Sequence, residues 1–465
     1  MRNMTLKNIA ACLQGELQQA AGKEQFEISG AVLDSRKVEP GFAFFATKGE
    51  KVDGHSFIPQ VVEKGAALVI CEVAPAVDVP YILVKDTFVA LKQVAAFYRQ
   101  QLTIPIIGVT GSVGKTSTKE MIAAGLSTRF QVLKTQGNFN NEVGLPLTIL
   151  SIREEHEAAV VEMGISDFGE MHRLSAIARP NICVITNIGQ CHLENLIDRD
   201  GILKAKTEIF DYMAEDGYVV LNGDDDKLAT IREVHGRKPY FFGLNEECSD
   251  ESTDEPTDVV KDVRAFEIQS HGLFGSEFQM NLLGDQLEAS VPLPGQHMVI
   301  NALAAACVGR ILGMKNEEIL AGIASVQATG GRSNILKLAD KTVIDDCYNA
   351  NPVSMKSAID LLMMAEGAKC VILGDMFELG TDELALHREI GQYAALARLD
   401  RMIFIGNLAN EMYEGAAKLR TVPEYYPDKE AFFAAHKSED FGDMTVLVKA
   451  SHGMHFEEIV AWLQK

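Results

Sequence analysis

The chain has 465 residues, 47% apolar and 23% charged, with 65 acidic against 43 basic side chains and a formal net charge of −22. That length exceeds what one hydrophobic core fills and suggests about three domains. The acidic balance argues against nucleic acid or an anionic membrane as a partner, because a phosphate polymer would be repelled. Eight cysteines, at 12, 71, 183, 191, 248, 307, 347 and 370, include no CxxC pair. Neither a disulfide framework nor a zinc site is indicated, and reduced thiols in a cytoplasm fit best. The N-terminus lacks the pattern of a signal peptide. No run of about 18 apolar residues exists to span a bilayer. We therefore expect a soluble cytoplasmic protein with no membrane insertion.

Residues 1–102 alternate short apolar runs with helical patterns: LKNIAACL, GFAFFAT, FIPQVVEKGAALVIC, VPYILVK and the helix-like TFVALKQVAAFYRQQL. This reads as a small α/β domain. The polar, glycine-bearing stretches DSRKVEPG and KGEKVDGHSFI interrupt it as loops. Such loops are where a scaffold holds ligands, although ordinary connections have the same composition.

Residues 103–329 read as repeated βαβ units, and TIPIIGVTGSVGKTSTKEMIA at 103–123 organises them. An apolar run enters the turn TGSVGKT, which opens onto a helix-compatible segment. Backbone N–H groups there converge on an anion, Lys115 adds a mobile cation, and the Thr116 hydroxyl can hold Mg²⁺. The glycines are Gly111 and Gly114, flanking Ser112 and Val113, with Ser117 following the Lys-Thr pair. The usual first glycine of a P-loop falls here on Val109, and Gly108 is one place too early. The runs AAVVEMG, NICVITNIG and GYVVLNG predict further parallel strands covered on both faces.

The acidic stretch at 245–262 reads as a solvated loop. The alternating segment after it reads as antiparallel strands at a domain edge. Residues 330–465 resume the βα alternation with KTVIDDCYN, KCVILGDM, RMIFIGN and MTVLVKA, predicting a third domain with its own parallel, Rossmann-like sheet.

Several residues stand where α/β sheets bind ligands, just past strand C-termini. Glu162 ends the strand neighbouring the phosphate turn and could coordinate Mg²⁺. His192 emerges at the same edge, although imidazole is an unusual Mg²⁺ ligand. Lys206 lies on a predicted helix and by pattern alone is a solvated lysine. In the third domain Asp345, Asp346, Asn349 and Asn351 follow one strand, and Asp375 and Glu378 follow another. Each, taken singly, reads as a helix cap or turn residue; two such loops at strand C-terminal ends shift the reading toward function. Residue chemistry alone thus reaches a three-domain, Mg²⁺-dependent nucleotide enzyme.

TGSVGKTSTKE, GNFNNEVGLPLTIL, VEMGISDFGEMHRL, ITNIGQCHLENL, KAKTEIF, DDCYNANPVSM and LGDMFELG, in this order, resemble the Mur ligases of peptidoglycan precursor synthesis. DSRKVEPGFAFFATKGEKVDGHSF resembles the family's UDP-holding loops. The resemblance implies ATP and Mg²⁺ as cofactors, with UDP-MurNAc-tripeptide and D-Ala-D-Ala as small-molecule substrates of a monomer. It implies an acyl phosphate on the path to the new amide bond. By the same resemblance Gly111, Ser112, Val113, Gly114, Lys115, Thr116 and Ser117 hold the ATP phosphates. Thr116, Glu162 and His192 hold metal, and Lys206 is the lysine that family members carbamylate. Asn301 lies beside adenine, Arg332 and Asp346 reach phosphate and ribose, and Ser35, Arg36 and Asn138 contact the UDP substrate. Three positions depart from the family pattern: Met298, Cys347 and His452. Competing readings are a ligase adding the third amino acid, a folylpolyglutamate-type ligase, and a P-loop switch that forms no bond.

Overall fold

The structure is a computed structural model that describes residues 1–49, 52–189, 191, 193–244, 259–327, 334–377, 379–420 and 423–465. The N-terminal domain opens with α1 (Leu6–Cys12). Its five strands are β1 (Leu17–Gln18), β2 (Gly30–Val32), β3 (Phe42–Phe45), β4 (Leu68–Cys71) and β5 (Tyr81–Leu83), in the order β1-β5-β4-β3-β2. The last four pair in parallel, and β1 runs antiparallel to β5. The runs FAFF and LVIC are apolar at every position because both faces of the sheet are covered. Ala43, Phe45, Leu68 and Ile70 enter one core, while Phe44, Val69 and Cys71 enter the other with Ile58 and Val61 of α2 (Ile58–Glu63).

Helix α3 (Thr87–Gln101), capped by the Asp86 carboxylate, closes this domain and at the same time seals it to the next. Its Leu91, Val94 and Ala95 share one core with Leu145, Ile149 and Leu174 of the central domain. The Tyr98 hydroxyl donates to the Ile152 carbonyl at 2.7 Å. Buried Arg99 donates to the carbonyls of Ala178 and Arg179 at 2.7 and 2.8 Å and to Asn181 Oδ1 at 3.0 Å. Burial pushes the Arg99 guanidinium down to about 10, so those acceptors offset a desolvation that would otherwise oppose folding.

The central domain runs β6 (Ile106–Thr110), α4 (Lys115–Ser127), β7 (Val132–Lys134), α5 (Gly144–Leu150), β8 (Ala158–Glu162), α6 (Glu170–Ala178), β9 (Ile182–Ile185), α7 (Leu193–Leu196), α8 (Arg199–Thr207), β10 (Tyr218–Asn222) and β11 (Tyr240–Leu244). It continues with β12 (Val263–Ser270), β13 (Ser276–Leu282), β14 (Asp285–Val291), α9 (Gln296–Ile311) and α10 (Asn316–Ala324). The nine-stranded sheet has the order β14-β13-β12-β11-β10-β9-β6-β8-β7. β7 through β12 run parallel across β6, as the apolar runs predict. β13 and β14 follow β12 through short turns and form the expected meander at the edge. Strands β7 and β11 are ones the sequence reading passed over. β6 lies between β8 and β9, and the chain leaves it first to one side and then to the other. A crevice forms at the C-terminal ends of strands at such a switch point.

The C-terminal domain comprises β15 (Asn334–Lys337), β16 (Thr342–Asp345), α11 (Pro352–Met363), β17 (Ala368–Gly374), α12 (Glu383–Leu396), β18 (Arg401–Ile405), α13 (Ala409–Ala417), β19 (Pro423–Tyr426), α14 (Lys429–Ala435), β20 (Met444–Lys449) and α15 (Glu457–Leu463). Its order is β15-β16-β20-β17-β18-β19, parallel except for β15. The last strand, β20, inserts between β16 and β17, which brings the ends of all three together. Alternate residues of these strands fill two cores, one on each face.

By its contacts the chain divides into two compact units. One joins residues Met1–Glu267 with Phe278–Ala289 and Ile300–Ser325, and the other joins Ile268–Glu277 and Ser290–Val299 with Val326–Lys465. Among the described residues no helix is long and apolar enough to cross a membrane.

Candidate nucleotide and metal site

Strand β6 is buried throughout and ends at Thr110, where the chain turns through Gly111–Gly114 into α4. Gly111 has φ +149°, and a Cβ there would lie 1.9 Å from Thr186 Oγ1, so only glycine fits. Gly114 caps α4 with φ +82°, a left-handed conformation that favours glycine. The segment after β9 braces this turn. The Ser112 N–H donates to the Asn187 carbonyl at 3.0 Å and the Val113 N–H to Asn187 Oδ1 at 2.9 Å. The Ser112 hydroxyl donates to the Gly189 carbonyl at 3.0 Å and the Thr186 hydroxyl to the Val113 carbonyl at 2.7 Å. A turn fixed in this way presents first-turn N–H groups, those of Thr116 and Ser117 included, toward an anion. Lys115 Nζ lies over the turn, donating to the Gly111 and Ser112 carbonyls at 2.8 and 3.3 Å.

Glu162 stands opposite Val109 in the register between β8 and β6 and is 3% exposed. Its Oε1 accepts from Asn140 Nδ2 at 2.8 Å. Oε2 has no hydrogen-bond partner among the described residues, nor does buried Thr110 Oγ1 at the end of β6. Lys119 Nζ, also buried, is 3.8 Å from Oε2, too far for a hydrogen bond, and donates to the Thr135 carbonyl at 2.8 Å and pairs with Glu120 at 3.0 Å. A buried carboxylate oxygen and a hydroxyl without hydrogen-bond partners among the described residues, beside the turn at Gly111–Gly114, are hard oxygen donors of the kind that suits Mg²⁺. These residues fit the ion. Among the described residues no three of His, Cys, Asp and Glu converge, and His192 lies outside them.

Lys206 corrects the plain pattern reading, because its side chain in the last turn of α8 is 1% exposed rather than solvated. Burial pushes its amine down to about 8, and the charge of Lys115 adds to that shift. The two lysines therefore share one electrostatic environment. Asn301 of α9 is buried, and its Oδ1 accepts from the Thr118 hydroxyl of α4 at 2.8 Å, which ties it to the helix of the phosphate turn.

The N-terminal loop holds Ser35 and Arg36 on a short helical turn capped by Asp34. Arg36 forks onto Asp34 at 2.9 and 2.8 Å, and this bond holds the Asp34 carboxyl down at about 2. Lys64 Nζ donates to the Ser35 and Arg36 carbonyls at 2.9 and 3.2 Å. Asn138 is exposed beyond β7. In the C-terminal domain buried Asp346 accepts from Lys449 Nζ at 2.6 Å, and the same ammonium donates to the Asn349 carbonyl at 2.8 Å. Asn351 caps α11 in a reciprocal box with Ser354. Asp345 Oδ1 accepts from the Cys347 N–H at 3.3 Å. Asp375 accepts from the Ala409 N–H at 2.7 Å, at the start of α13, and burial pushes its carboxyl up. Cys347 is buried, with Sγ 3.4 Å from the Val448 carbonyl. His452 lies with its ring 6.1 Å from that of Tyr348. Met298 lies in the first turn of α9. Arg332, Glu378 and residues 245–258 fall outside the described residues.

Sequence reasoning missed Lys119, Asn140 and Lys449. Lys119 follows Lys115 by four residues, one helical turn onward and on the same side of α4, a spacing that could have marked it. Asn140 sits in the polar run GNFNNE, where nothing distinguishes it from its neighbours. Lys449 ends a strand whose partners no local pattern reveals.

Three family models match the chain: "Mur ligase family, catalytic domain" over residues 27–117, "Mur ligase middle domain" over 109–309, and "Mur ligase, glutamate ligase domain" over 331–452. The UDP-N-acetylmuramoyl-tripeptide–D-alanyl-D-alanine ligase of Bacillus subtilis is 39% identical over 99% of this chain and 98% of its own length. A crystal structure of MurF from Acinetobacter baumannii superposes with a TM-score of 0.88 at 34% identity, covering 99% of this chain and 98% of that one. MurF of Thermotoga maritima, solved in complex with ADP, gives 0.76 at 28% identity over 94% and 97%. The N-terminal, central and C-terminal sheets described above thus have counterparts along the whole length of these proteins, and the chain belongs to the Mur ligase family.

Proposed function

We propose that this chain is the ATP-dependent ligase that joins D-alanyl-D-alanine to UDP-N-acetylmuramoyl-tripeptide. The products are the UDP-MurNAc-pentapeptide, ADP and phosphate, in peptidoglycan precursor synthesis. One observation carries the reading: a glycine turn of phosphate-binding form beside a buried carboxylate one of whose oxygens has no hydrogen-bond partner among the described residues, in a chain similar end to end to ligases of that name. We take 1–102 as the UDP-substrate domain, 103–329 as the ATP domain and 330–465 as the domain completing the ligase. The reading includes a cytoplasmic monomer, supported by the scattered thiols and the charge of −22.

A carboxylate is a poor acyl donor, so it must first be activated. The terminal carboxylate of the tripeptide attacks the γ-phosphorus of ATP, the bond to the bridging oxygen breaks, and ADP leaves. The amine of D-Ala-D-Ala then attacks the acyl carbon, inorganic phosphate leaves with the C–O pair, and the amine proton passes to solvent. Phosphoryl transfer depends on positioning and charge neutralisation. In our reading the N–H groups of 111–117 cradle the phosphates and Lys115 swings from the turn carbonyls to the γ-phosphate. Thr116, Glu162 and His192 would hold Mg²⁺, which supplies further neutralisation when bound. Asn301 would lie beside adenine, with Arg332 and Asp346 toward phosphate and ribose. Ser35, Arg36 and Asn138 would hold the UDP substrate.

The depressed pKa of Lys206 supports its carbamylation, because only a neutral amine attacks CO₂. The ammonium first loses one proton to solvent; the neutral amine then forms the N–C bond as a C=O π pair of CO₂ moves onto oxygen, a second proton is lost to solvent, and a cation has become an anion that would support a second metal. Intact-mass analysis in bicarbonate should show one added CO₂ that Lys206→Met abolishes.

The decisive experiment measures phosphate release from ATP and Mg²⁺ with UDP-MurNAc-tripeptide, with and without D-Ala-D-Ala, while following product mass. Release that requires the dipeptide, together with a pentapeptide mass, is expected. Turnover indifferent to both substrates would instead mark an ATPase switch.

A further inference from the structure

We infer that Asn140 is a positioning residue that orients the Glu162 carboxylate so that one chosen oxygen, Oε2, faces the metal. The inference rests on the metal reading above and adds to it a residue with no role assigned so far. Two observations carry it together. The two oxygens of Glu162 are treated differently: Oε1 is held by Asn140 Nδ2 at 2.8 Å, while buried Oε2 has no hydrogen-bond partner among the described residues. The Asn140 main chain is itself fixed: its backbone carbonyl accepts from the Gly164 N–H at 2.8 Å and its backbone N–H donates to the Asn138 carbonyl at 2.7 Å, while its side-chain amide packs over Gly164, where an added Cβ would lie 3.0 Å away. Only one face of the amide serves. Turned over, its oxygen would meet a carboxylate oxygen, so the NH₂ must point to Glu162.

The carboxylate is anchored from behind as well. The Glu162 N–H donates to the Thr135 hydroxyl at 2.9 Å, and the Thr135 carbonyl receives Lys119 Nζ at 2.8 Å. Backbone and Oε1 are therefore both tied, and rotation that would swap the oxygens costs the Asn140 bond. A carboxylate pre-set in this way need not be ordered when the ion arrives. Outer partners of this kind typically change metal affinity about 10- to 100-fold.

The competing account makes Glu162 a structural counter-ion for buried Lys119, with Asn140 only filling space. The test uses Mn²⁺ as the probe, titrated into the full chain with ADP present, with free Mn²⁺ read by electron paramagnetic resonance. Asn140→Leu keeps the branching at Cγ and removes the donor. It is expected to weaken Mn²⁺ binding about 10- to 100-fold while leaving the metal-free thermal midpoint close to that of the parent, and Asn140→Gln should recover part of the loss. Asn140→Ala makes the same deletion should leucine prevent folding over Gly164. Mn²⁺ binding unchanged in both deletions, with Glu162→Gln weakening it, would overturn the role of Asn140 alone. Mn²⁺ binding unchanged by Glu162→Gln would overturn the metal reading and this inference together.

Discussion

The crevice of the central sheet and the strand ends of the C-terminal sheet look alike in sequence, with acidic and amide residues just past apolar runs, yet they spend those residues differently. In the central domain Glu162 Oε2 and Thr110 Oγ1 are buried without hydrogen-bond partners among the described residues. In the C-terminal domain Asp375 is bound to the start of α13, Asp346 to Lys449, and Asn351 to the first turn of α11. One region holds unused coordinating capacity, and the other uses much of its own to fix three loops. Polar residues at strand ends therefore mark a place, and only their partners decide between ligand chemistry and architecture.

The largest test of this contrast is at the phosphate turn. Lys115→Ala or Glu162→Gln should lower dipeptide-dependent phosphate release about 10³-fold, with the urea unfolding midpoint little changed. A variant that lost stability in step with activity would erase the distinction between the two regions. Next comes Lys206. Its folded-state pKa of about 8 lies below the ordinary lysine value of 10.5, so the native state releases a proton that the unfolded state keeps. Stability should rise between pH 8 and 10.5, by about 3 kcal/mol in CO₂-free buffer. Lys206→Met should not show that rise in urea titrations at the two pH values.

Asp375→Ala should cost about 2–3 kcal/mol, since it strands buried N–H groups at the start of α13, and hydrogen exchange should locate the loss in α13. Activity of the folded fraction should fall less than for Lys115→Ala. If Asp375→Ala instead abolishes turnover with α13 still protected, the C-terminal loop is chemical and the contrast fails there. The smallest effect is expected for Asn351→Ala, about 1 kcal/mol from a lost cap, seen as a shifted unfolding midpoint.

Much of the architecture was legible because long apolar runs have few alternatives. β6, β8, β9 and β10 stand where the runs predict, and the meander after residue 262 sits at the sheet edge. The short strands β7, β15 and β19 escaped because runs such as QVLK and PEYY carry no distinctive period. The tight turn between β6 and α4 was legible from Gly111 and Gly114, whose spacing is local. Burial of Lys206 was not: KAKTEIF has the composition of a surface helix, and only the packing of α8 removes that lysine from water. Asn140 and Glu162 are 22 residues apart and meet at 2.8 Å, a pairing that comes from sheet order and leaves no trace in either local segment.

Helix α3 bears on how the chain is made. The N-terminal 102 residues leave the ribosome before the carbonyls of Ile152, Ala178 and Arg179 exist to receive Tyr98 and Arg99. During that interval one face of the helix has nothing to bury against, so the nascent segment can complete its fold only after roughly eighty more residues have been synthesised. A clone ending at residue 102 would stay permanently at that stage, with Leu91 and Val94 lacking their partners Leu145 and Ile149.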